Sequence, residues 1–172
     1  KPVENAFVDR NGNGKIDEGD RYLYKSPFAP VTMDFGTDLS YKNWDLNITT
    51  RANIGNYVYN NTQSRLDQRT EITSNSGFLR NIKANSIFQR HNDQAWNSDY
   101  YVENASFFKL DNITLGYTFP HTDKRYIRLY GTVQNVWTIT KYSGLDPEVF
   151  GGIDNNFYPR PQTYLLGLNI NF

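Results

Sequence analysis

Oxygen-bearing side chains alternate along a short stretch near the start of the chain, which reads D-R-N-G-N-G-K-I-D-E-G-D from Asp9 to Asp20. In a twelve-residue calcium-binding loop, positions 1, 3, 5, 7, 9 and 12 would be filled by Asp9, Asn11, Asn13, Lys15, Asp17 and Asp20, with Lys15 offering its main-chain carbonyl. Ca²⁺ takes roughly six to eight hard oxygen ligands, and this spacing can bring them to one ion. The sequence therefore predicts a structural calcium site, with a metal-free polar Asn-Gly turn as the alternative.

The composition favours a strand-rich protein and gives no support for nucleic-acid binding or for a membrane-spanning helix. Basic and acidic residues balance at 18 each, which gives no electrostatic basis for binding nucleic acid. Aromatic residues make up 16% of the chain, Tyr alone occurs 13 times, and Cys is absent. Many Tyr and Asn residues favour strands and polar loops over helices. No apolar run approaches the roughly 18 residues of a membrane-spanning helix.

The segment from Thr163 to Phe172 has the clearest strand pattern. Apolar side chains recur at every second position, namely Tyr164, Leu166, Leu168, Ile170 and Phe172. Alternate side chains of a strand share a face, so one face is apolar and the other is small or polar. About ten residues suffice for a tilted strand to cross a bilayer. This pattern predicts a membrane-spanning barrel strand, although a soluble sandwich can also end on a half-buried strand.

The same alternation predicts two hairpins, at residues 32–56 and 107–137. Their strands are joined by short turns, whereas the remaining connections are long and polar: 1–31, 57–106 and 138–162. In outer-membrane barrels the periplasmic turns are short and the outer loops are long. We therefore predict an all-β chain of about five antiparallel up-and-down strands. Residues 163–172 form its last strand, and the three long connections lie outside the cell.

Three stretches carry a resemblance to a known family. They are N-A-S-F-F-K-L-D-N-I-T-L-G-Y-T-F-P from Asn104 to Pro120, G-T-V-Q-N-V-W-T-I-T-K-Y-S-G-L-D-P-E from Gly131 to Glu148, and the segment from Tyr158 to Phe172. Together with the loop from Asp9 they resemble the C-terminal part of SusC/RagA-type TonB-dependent outer-membrane transporters.

This resemblance implies a barrel of about 22 strands in the outer membrane of a Gram-negative cell, plugged by an N-terminal domain and energised through TonB. It also implies import of oligosaccharides or peptides together with a SusD-like surface lipoprotein. The plug and the earlier strands are not represented in this sequence. We thus expect a C-terminal barrel segment, in contact with outer-membrane lipid, that cannot close by itself.

Two other classes of function were considered. A soluble, calcium-stabilised β domain that binds carbohydrate at the cell surface is the alternative to a transporter. An enzyme is not expected, because His91 and His121 fall on predicted opposite sides of the membrane and have no Cys or triad partner. Asp146 and Glu148 flank a proline, where a turn is the expected role. The sequence predicts no catalytic site.

Overall fold

The computed structural model describes residues 7–67, 97–120, 125–155 and 158–171. The chain divides into two compact units. The sheet unit comprises Phe28–Asn56, Asn104–Tyr142 and Tyr158–Phe172, and the loop unit comprises Lys1–Pro27, Tyr57–Glu103 and Ser143–Phe157. Within the described ranges, no helix has both the length and the apolar character needed to cross a membrane.

The described residues form one α-helix and seven strands, numbered in chain order. The strands β1 to β7 span Val31–Tyr41, Trp44–Ile54, Tyr57–Tyr59, Val102–Asn104, Phe107–Pro120, Tyr126–Thr140 and Thr163–Asn171, and helix α1 spans Asn61–Leu66.

The sheet unit is a five-stranded antiparallel sheet in the order β1-β2-β5-β6-β7. It is not closed into a barrel. The predicted all-β class, the antiparallel order and the number of strands are thereby confirmed. The predicted last strand is present from Thr163 to Asn171, and Phe172 lies outside the described residues.

The two faces of this sheet differ in polarity. Residues paired across neighbouring strands lie on the same face, so each row of paired residues belongs to one face. One row of the apolar face consists of Leu39, Leu46, Leu115, Gly131 and Leu166, and the next consists of Tyr41, Trp44, Tyr117, Leu129 and Leu168. A row of the polar face consists of Asp38, Asn47, Thr114, Thr132 and Leu165. Large side chains on the apolar face are exposed, and Leu166 retains 89% of its accessible surface.

A β-bulge interrupts the regular alternation of β5. Its pairing with β2 shifts between Leu110 and Asn112, so Asp111 is one residue in excess. Opposite this point in β6, Asn135 adopts a positive φ of 53° and its side-chain amide donates to the carbonyl of Arg160 at 2.6 Å. A bulge bends its strand and redirects a side chain.

The loop unit contains more regular structure than the sequence predicted for 57–106. Strands β3 and β4 pair in a two-stranded sheet, and α1 follows β3 directly. The side chain of Asn60 caps α1 by accepting a hydrogen bond from the Gln63 N–H at 2.9 Å.

Candidate functional site

The residues predicted to bind calcium form a tight loop closed by its own hydrogen bonds. The carboxylate of Asp9 accepts the N–H groups of Gly12 at 2.7 Å, Asn13 at 3.2 Å and Gly14 at 2.7 Å. Gly12 and Gly14 have φ values of 73° and 76°, in the left-handed region that glycine reaches without strain. The chain thus turns around the Asp9 carboxylate at the predicted position.

The two asparagines and Asp17 form the middle of the loop. The amide oxygen of Asn11 accepts the Asn13 N–H at 2.9 Å, and that of Asn13 accepts the Lys15 N–H at 2.8 Å. The amide nitrogens of Asn11 and Asn13 both donate to the Asp17 carboxylate, at 3.4 and 2.9 Å. Asn11, Asn13 and Asp17 are therefore joined by side-chain hydrogen bonds.

Asp20 ends the loop. Its carboxylate accepts the N–H groups of Asp17 at 2.8 Å, Arg10 at 2.8 Å and Asn11 at 3.3 Å. The bond from Asp17, and after it those from Arg10 and Asn11, hold the pKa of Asp20 below its ordinary value. The loop thus keeps one terminal carboxylate ionised.

Carboxylates form only part of the predicted ligand set. Considering His, Cys, Asp and Glu side chains alone, the described part of the chain contains no group of three that could hold a metal ion. The predicted set adds the amide oxygens of Asn11 and Asn13 and the Lys15 carbonyl to the acidic groups. These are the hard oxygen donors that Ca²⁺ takes, so the chemistry of the donors fits that ion.

The polar face of the sheet carries two forked ion pairs. Arg51 binds Asp111 through Nε at 2.5 Å and Nη2 at 2.9 Å, and Arg128 binds Asp45 through Nη2 at 2.5 Å and Nε at 2.9 Å. The side chains of these four residues are between 23% and 37% exposed. Two parallel hydrogen bonds fix the geometry of an arginine–carboxylate pair. The bulge supplies the carboxylate of the first pair.

Between these pairs, hydrogen-bonded side chains, all neutral except Asp38, form a continuous row across four strands. Asn47 donates to Asp38 at 2.7 Å, and Asn112 donates to Asn47 at 3.2 Å. Asn112 also donates to Thr114 at 3.3 Å, and the hydroxyls of Thr114 and Thr132 lie 2.8 Å apart. These polar side chains therefore bind one another within the sheet.

Two glycines provide the space that the polar face needs. A Cβ atom at Gly116 would lie 2.5 Å from an Asp45 oxygen and 2.7 Å from the Arg128 Nη2 atom. A Cβ atom at Gly167 would overlap the ring of Tyr130, over which Arg128 stacks at 4.8 Å. The missing side chains thus allow the ion pair and the ring to lie flat on the sheet.

In the loop unit, Asn60 connects three segments that are distant in sequence. Besides capping α1, its amide donates to Glu103 Oε1 at 2.9 Å and to Ser143 Oγ at 3.1 Å. Ser143 in turn donates to Glu103 through its N–H at 2.8 Å and its hydroxyl at 2.7 Å. We call Asn60, Glu103 and Ser143 the Asn60 clamp. Asn60 itself is only 3% exposed.

A second buried contact accompanies this clamp. Tyr101 is 2% exposed, and its main-chain carbonyl accepts the Asn60 N–H at 2.8 Å. Burial, and then the charge of Asp67, raise the pKa of Tyr101. The Tyr101 hydroxyl therefore remains neutral and able to donate.

Sequence reasoning missed these contacts because they join residues far apart in the chain. The Asn60 to Glu103 and Asn60 to Ser143 contacts span 43 and 83 residues. For the Arg51–Asp111 ion pair, the broken alternation at Leu110, Asp111 and Asn112 was a signal of the bulge. The two histidines considered for catalysis, His91 and His121, fall outside the described residues.

Known proteins resemble this chain in sequence and in fold. No family model matches. All of the chain aligns with TonB-dependent receptor SusC of Bacteroides thetaiotaomicron at 44% identity, covering 18% of that protein. TonB-dependent receptor P3 of Formosa agariphila is 31% identical over 99% of the chain, which covers 19% of P3. The chain therefore spans about a fifth of the length of these relatives.

Solved structures share the fold. A structure of the RagAB peptide transporter matches 93% of the chain with a TM-score of 0.68 at 22% identity, and this match covers 20% of that protein. The RagAB peptide importer in its closed-closed state gives a TM-score of 0.65 at 23% identity, with the same coverage of both chains. At these identities the match shows similarity of fold alone. The part of each solved chain that is matched is about a fifth of its length.

Proposed function

The chain belongs to the SusC/RagA type of TonB-dependent receptors, and we propose that it forms part of the wall of an outer-membrane barrel that imports solutes with energy delivered through TonB. The observation that carries this proposal is the open sheet with one apolar and one polar face. A barrel wall has this division, with lipid on one side and a wet interior on the other.

The dimensions of the sheet suit a bilayer. Its five strands contain 9 to 15 residues each, and a tilted strand needs roughly 9 to 11 to cross the hydrocarbon core. Aromatic rings pack together near both ends of the apolar face. Trp44 and Tyr117 have ring centroids 4.7 Å apart at one end, and Phe108 and Trp137 are 5.9 Å apart at the other. Such rings are typical of the two membrane interfaces.

The polar face suits the interior of a transporter. Its ion pairs and hydrogen-bonded amides need no further cover from lipid, and their partial exposure is compatible with water. The long connections would then lie outside the cell and the short turn at Lys42 and Asn43 inside, in the periplasm.

The imported solute and the partner follow from the family rather than from a bound ligand. We propose that the complete receptor imports oligosaccharides or peptides together with a SusD-like lipoprotein. The relative with the higher identity is a receptor named SusC, and the fold neighbours are described as a peptide transporter and a peptide importer.

We also propose that the loop from Asp9 to Asp20 binds Ca²⁺ as a structural ion. Its support is the tight loop in which carboxylate and amide oxygens at the predicted ligand positions accept main-chain N–H groups. In calcium titrations of the EDTA-treated full-length receptor, we expect one site to disappear in Asp9→Asn/Asp20→Asn. The matched control Asp34→Asn/Asp38→Asn, on the sheet, should retain it. Equal calcium binding in both double variants would exclude the loop.

Uptake measurements test the main proposal. The full-length receptor that carries this chain should accumulate in the outer membrane as a heat-modifiable barrel. It should support solute uptake only in cells with a functional TonB. A water-soluble product without heat-modifiability would refute the barrel wall and favour a surface-binding domain. Uptake that continues without TonB would refute energised import.

A further inference from the structure

Two cations stack on tyrosine rings along one segment of the loop unit. The Arg10 guanidinium lies 4.0 Å from the ring centroid of Tyr22, and the Tyr22 and Tyr24 centroids are 5.7 Å apart in an edge-to-face contact. The Lys25 ammonium lies 5.4 Å from the Tyr24 centroid and 5.0 Å from that of Tyr57. These five residues, Arg10, Tyr22, Tyr24, Lys25 and Tyr57, are called the cation–aromatic ladder.

The three contacts involve only two cations and three rings. Each cation lies within the roughly 6 Å of a ring centroid at which the ring attracts a cation. The ladder is therefore a local concentration of charge and aromatic surface.

Contacts with distant residues hold the ladder in place. The Tyr22 hydroxyl donates to Asp99 Oδ2 at 2.7 Å, and the Tyr57 N–H donates to the Ser26 carbonyl at 3.0 Å. The Arg10 N–H is fixed by the Asp20 carboxylate at 2.8 Å. The Asp99 hydrogen bond raises the pKa of Tyr22, which keeps its hydroxyl a donor.

The positive charges of the ladder are not neutralised by ion pairs within the described part of the chain. Arg21 nearby pairs with Glu18 at 3.5 Å, but Arg10 and Lys25 form no such contact with a described carboxylate. Two acidic groups contact the ladder: Asp99 accepts the Tyr22 hydroxyl, and Asp20 accepts the main-chain N–H of Arg10. Tyr22 and Tyr24 remain 44% and 50% exposed. Two charges and two half-open rings thus face solvent together.

We propose that the cation–aromatic ladder binds the carboxylate groups of the imported solute. Arg10 and Lys25 would pair with carboxylates, and the rings of Tyr22 and Tyr24 would pack against the neighbouring sugar ring or aliphatic chain. A guanidinium binds a carboxylate through a rigid donor fork, and aromatic faces bind apolar ring surface. This inference rests on the proposed function, because it assigns the long connections to the side from which solute arrives.

The test measures binding to the full-length receptor in detergent by isothermal titration calorimetry. The probes are trigalacturonate, a triglutamate peptide and the neutral trisaccharide maltotriose. At least one carboxylate probe should bind, more weakly as salt is added, and more tightly than maltotriose. The probe that binds identifies the source of the carboxylate as saccharide or peptide.

Variants connect binding to the ladder. Arg10→Gln/Lys25→Gln should weaken binding of the carboxylate probe at least about tenfold, since it removes two charge-assisted contacts. Arg10→Lys/Lys25→Arg should retain most of the affinity. Arg21→Gln removes a charge outside the ladder and should have little effect. Equal losses in the ladder variant and Arg21→Gln would overturn the proposal, as would equal binding of maltotriose or no binding of either carboxylate probe.

The experiment separates this inference from the proposed function. Each variant is first examined for heat-modifiability, which reports the folded barrel independently of solute. A folded, TonB-dependent transporter that binds no carboxylate probe would refute the ladder alone. A receptor that forms no barrel would refute the proposed function itself.

Discussion

On the apolar face of the sheet most large side chains are exposed, whereas in the loop unit a few side chains are fully enclosed. Leu115, Leu129 and Leu166 retain 48%, 49% and 89% of their accessible surface. Val58 and Tyr101 in the loop unit retain 1% and 2%. The sheet thus has regular backbone pairing and an uncovered apolar face, and its buried apolar residues are Ala105, Phe107 and Tyr142. The loop unit has a small core with little regular structure.

This difference shows which surroundings each unit requires. Burying an apolar side chain contributes about 1.5–3 kcal/mol, so a sheet that leaves a whole face open lacks that stabilisation in water. In the proposed barrel wall, a bilayer would supply the missing cover. The loop unit instead depends on single hydrogen-bonded residues, chiefly Asn60, that join separate segments. Substitutions should therefore destabilise the two units by different mechanisms.

The largest effect is expected from a charge placed on the apolar face. Val133 pairs with Ile113 and Tyr164 on that face, and Gln134 follows on the opposite one. Val133→Lys should destabilise the full-length receptor in lipid vesicles by about 2–4 kcal/mol, because a lysine near mid-bilayer loses its hydration. Denaturant unfolding in vesicles measures this loss.

The adjacent substitution Gln134→Lys serves as the matched control. Its side chain lies on the polar face and is exposed, so we expect a small change in unfolding free energy. Equal losses of unfolding free energy in the two variants would show that the two faces are not in different environments.

Removal of the Asn60 side chain should have the next largest effect. Asn60→Ala deletes the α1 cap and the amide contacts with Glu103 and Ser143, and it leaves the half-buried Glu103 carboxylate with fewer donors. We expect the free energy of local opening to fall by about 2–3 kcal/mol. Hydrogen exchange of peptides covering α1 and β4 in the full-length receptor measures this change.

Asn61→Ala is the control for that experiment. The neighbouring residue contacts Asn155 at 2.6 Å on the surface, so its loss should change exchange much less. If hydrogen exchange in Asn60→Ala is as slow as in the unsubstituted receptor, the clamp does not hold the loop unit together.

The strands could be predicted from the sequence, whereas the contacts between segments could not. Alternation is a local signal, and the strand from Thr163 is visible in ten residues. The loop from Asp9 to Asp20 was equally local, and its hydrogen bonds follow the predicted spacing, while the ion stays a prediction. By contrast, the partner of Arg51 is 60 residues away and reaches it only through a bulge. The position of the long connections outside the cell also stays a prediction.

A smaller effect is expected where glycine makes room on the polar face. Gly167→Ala should cost about 1–3 kcal/mol, because its Cβ would overlap the Tyr130 ring and force it to move. Gly131→Ala is the matched control, since its Cβ would meet Leu166 Cδ2 at an ordinary 3.5 Å. Denaturant unfolding of the full-length receptor compares the two. In the background of Tyr130→Ser, Gly167→Ala should become nearly neutral, and an unchanged cost would exclude the ring as the cause.

The smallest effect concerns the exposed loop at Asp20. Its pKa is lowered, so the ionised carboxylate stabilises the loop above the ordinary Asp value of 3.8, and this contribution is lost as pH falls through the lower folded value. In calcium-free buffer, the amide resonance of ¹⁵N-labelled Asp17 in the full-length receptor should hold its position at neutral pH and shift only below that ordinary value. Asp20→Asn should abolish the titration. A midpoint at or above the ordinary value would show that the N–H groups of Asp17 and Arg10 do not hold this carboxylate, and the loop would then need a cation rather than its own main chain to keep its shape.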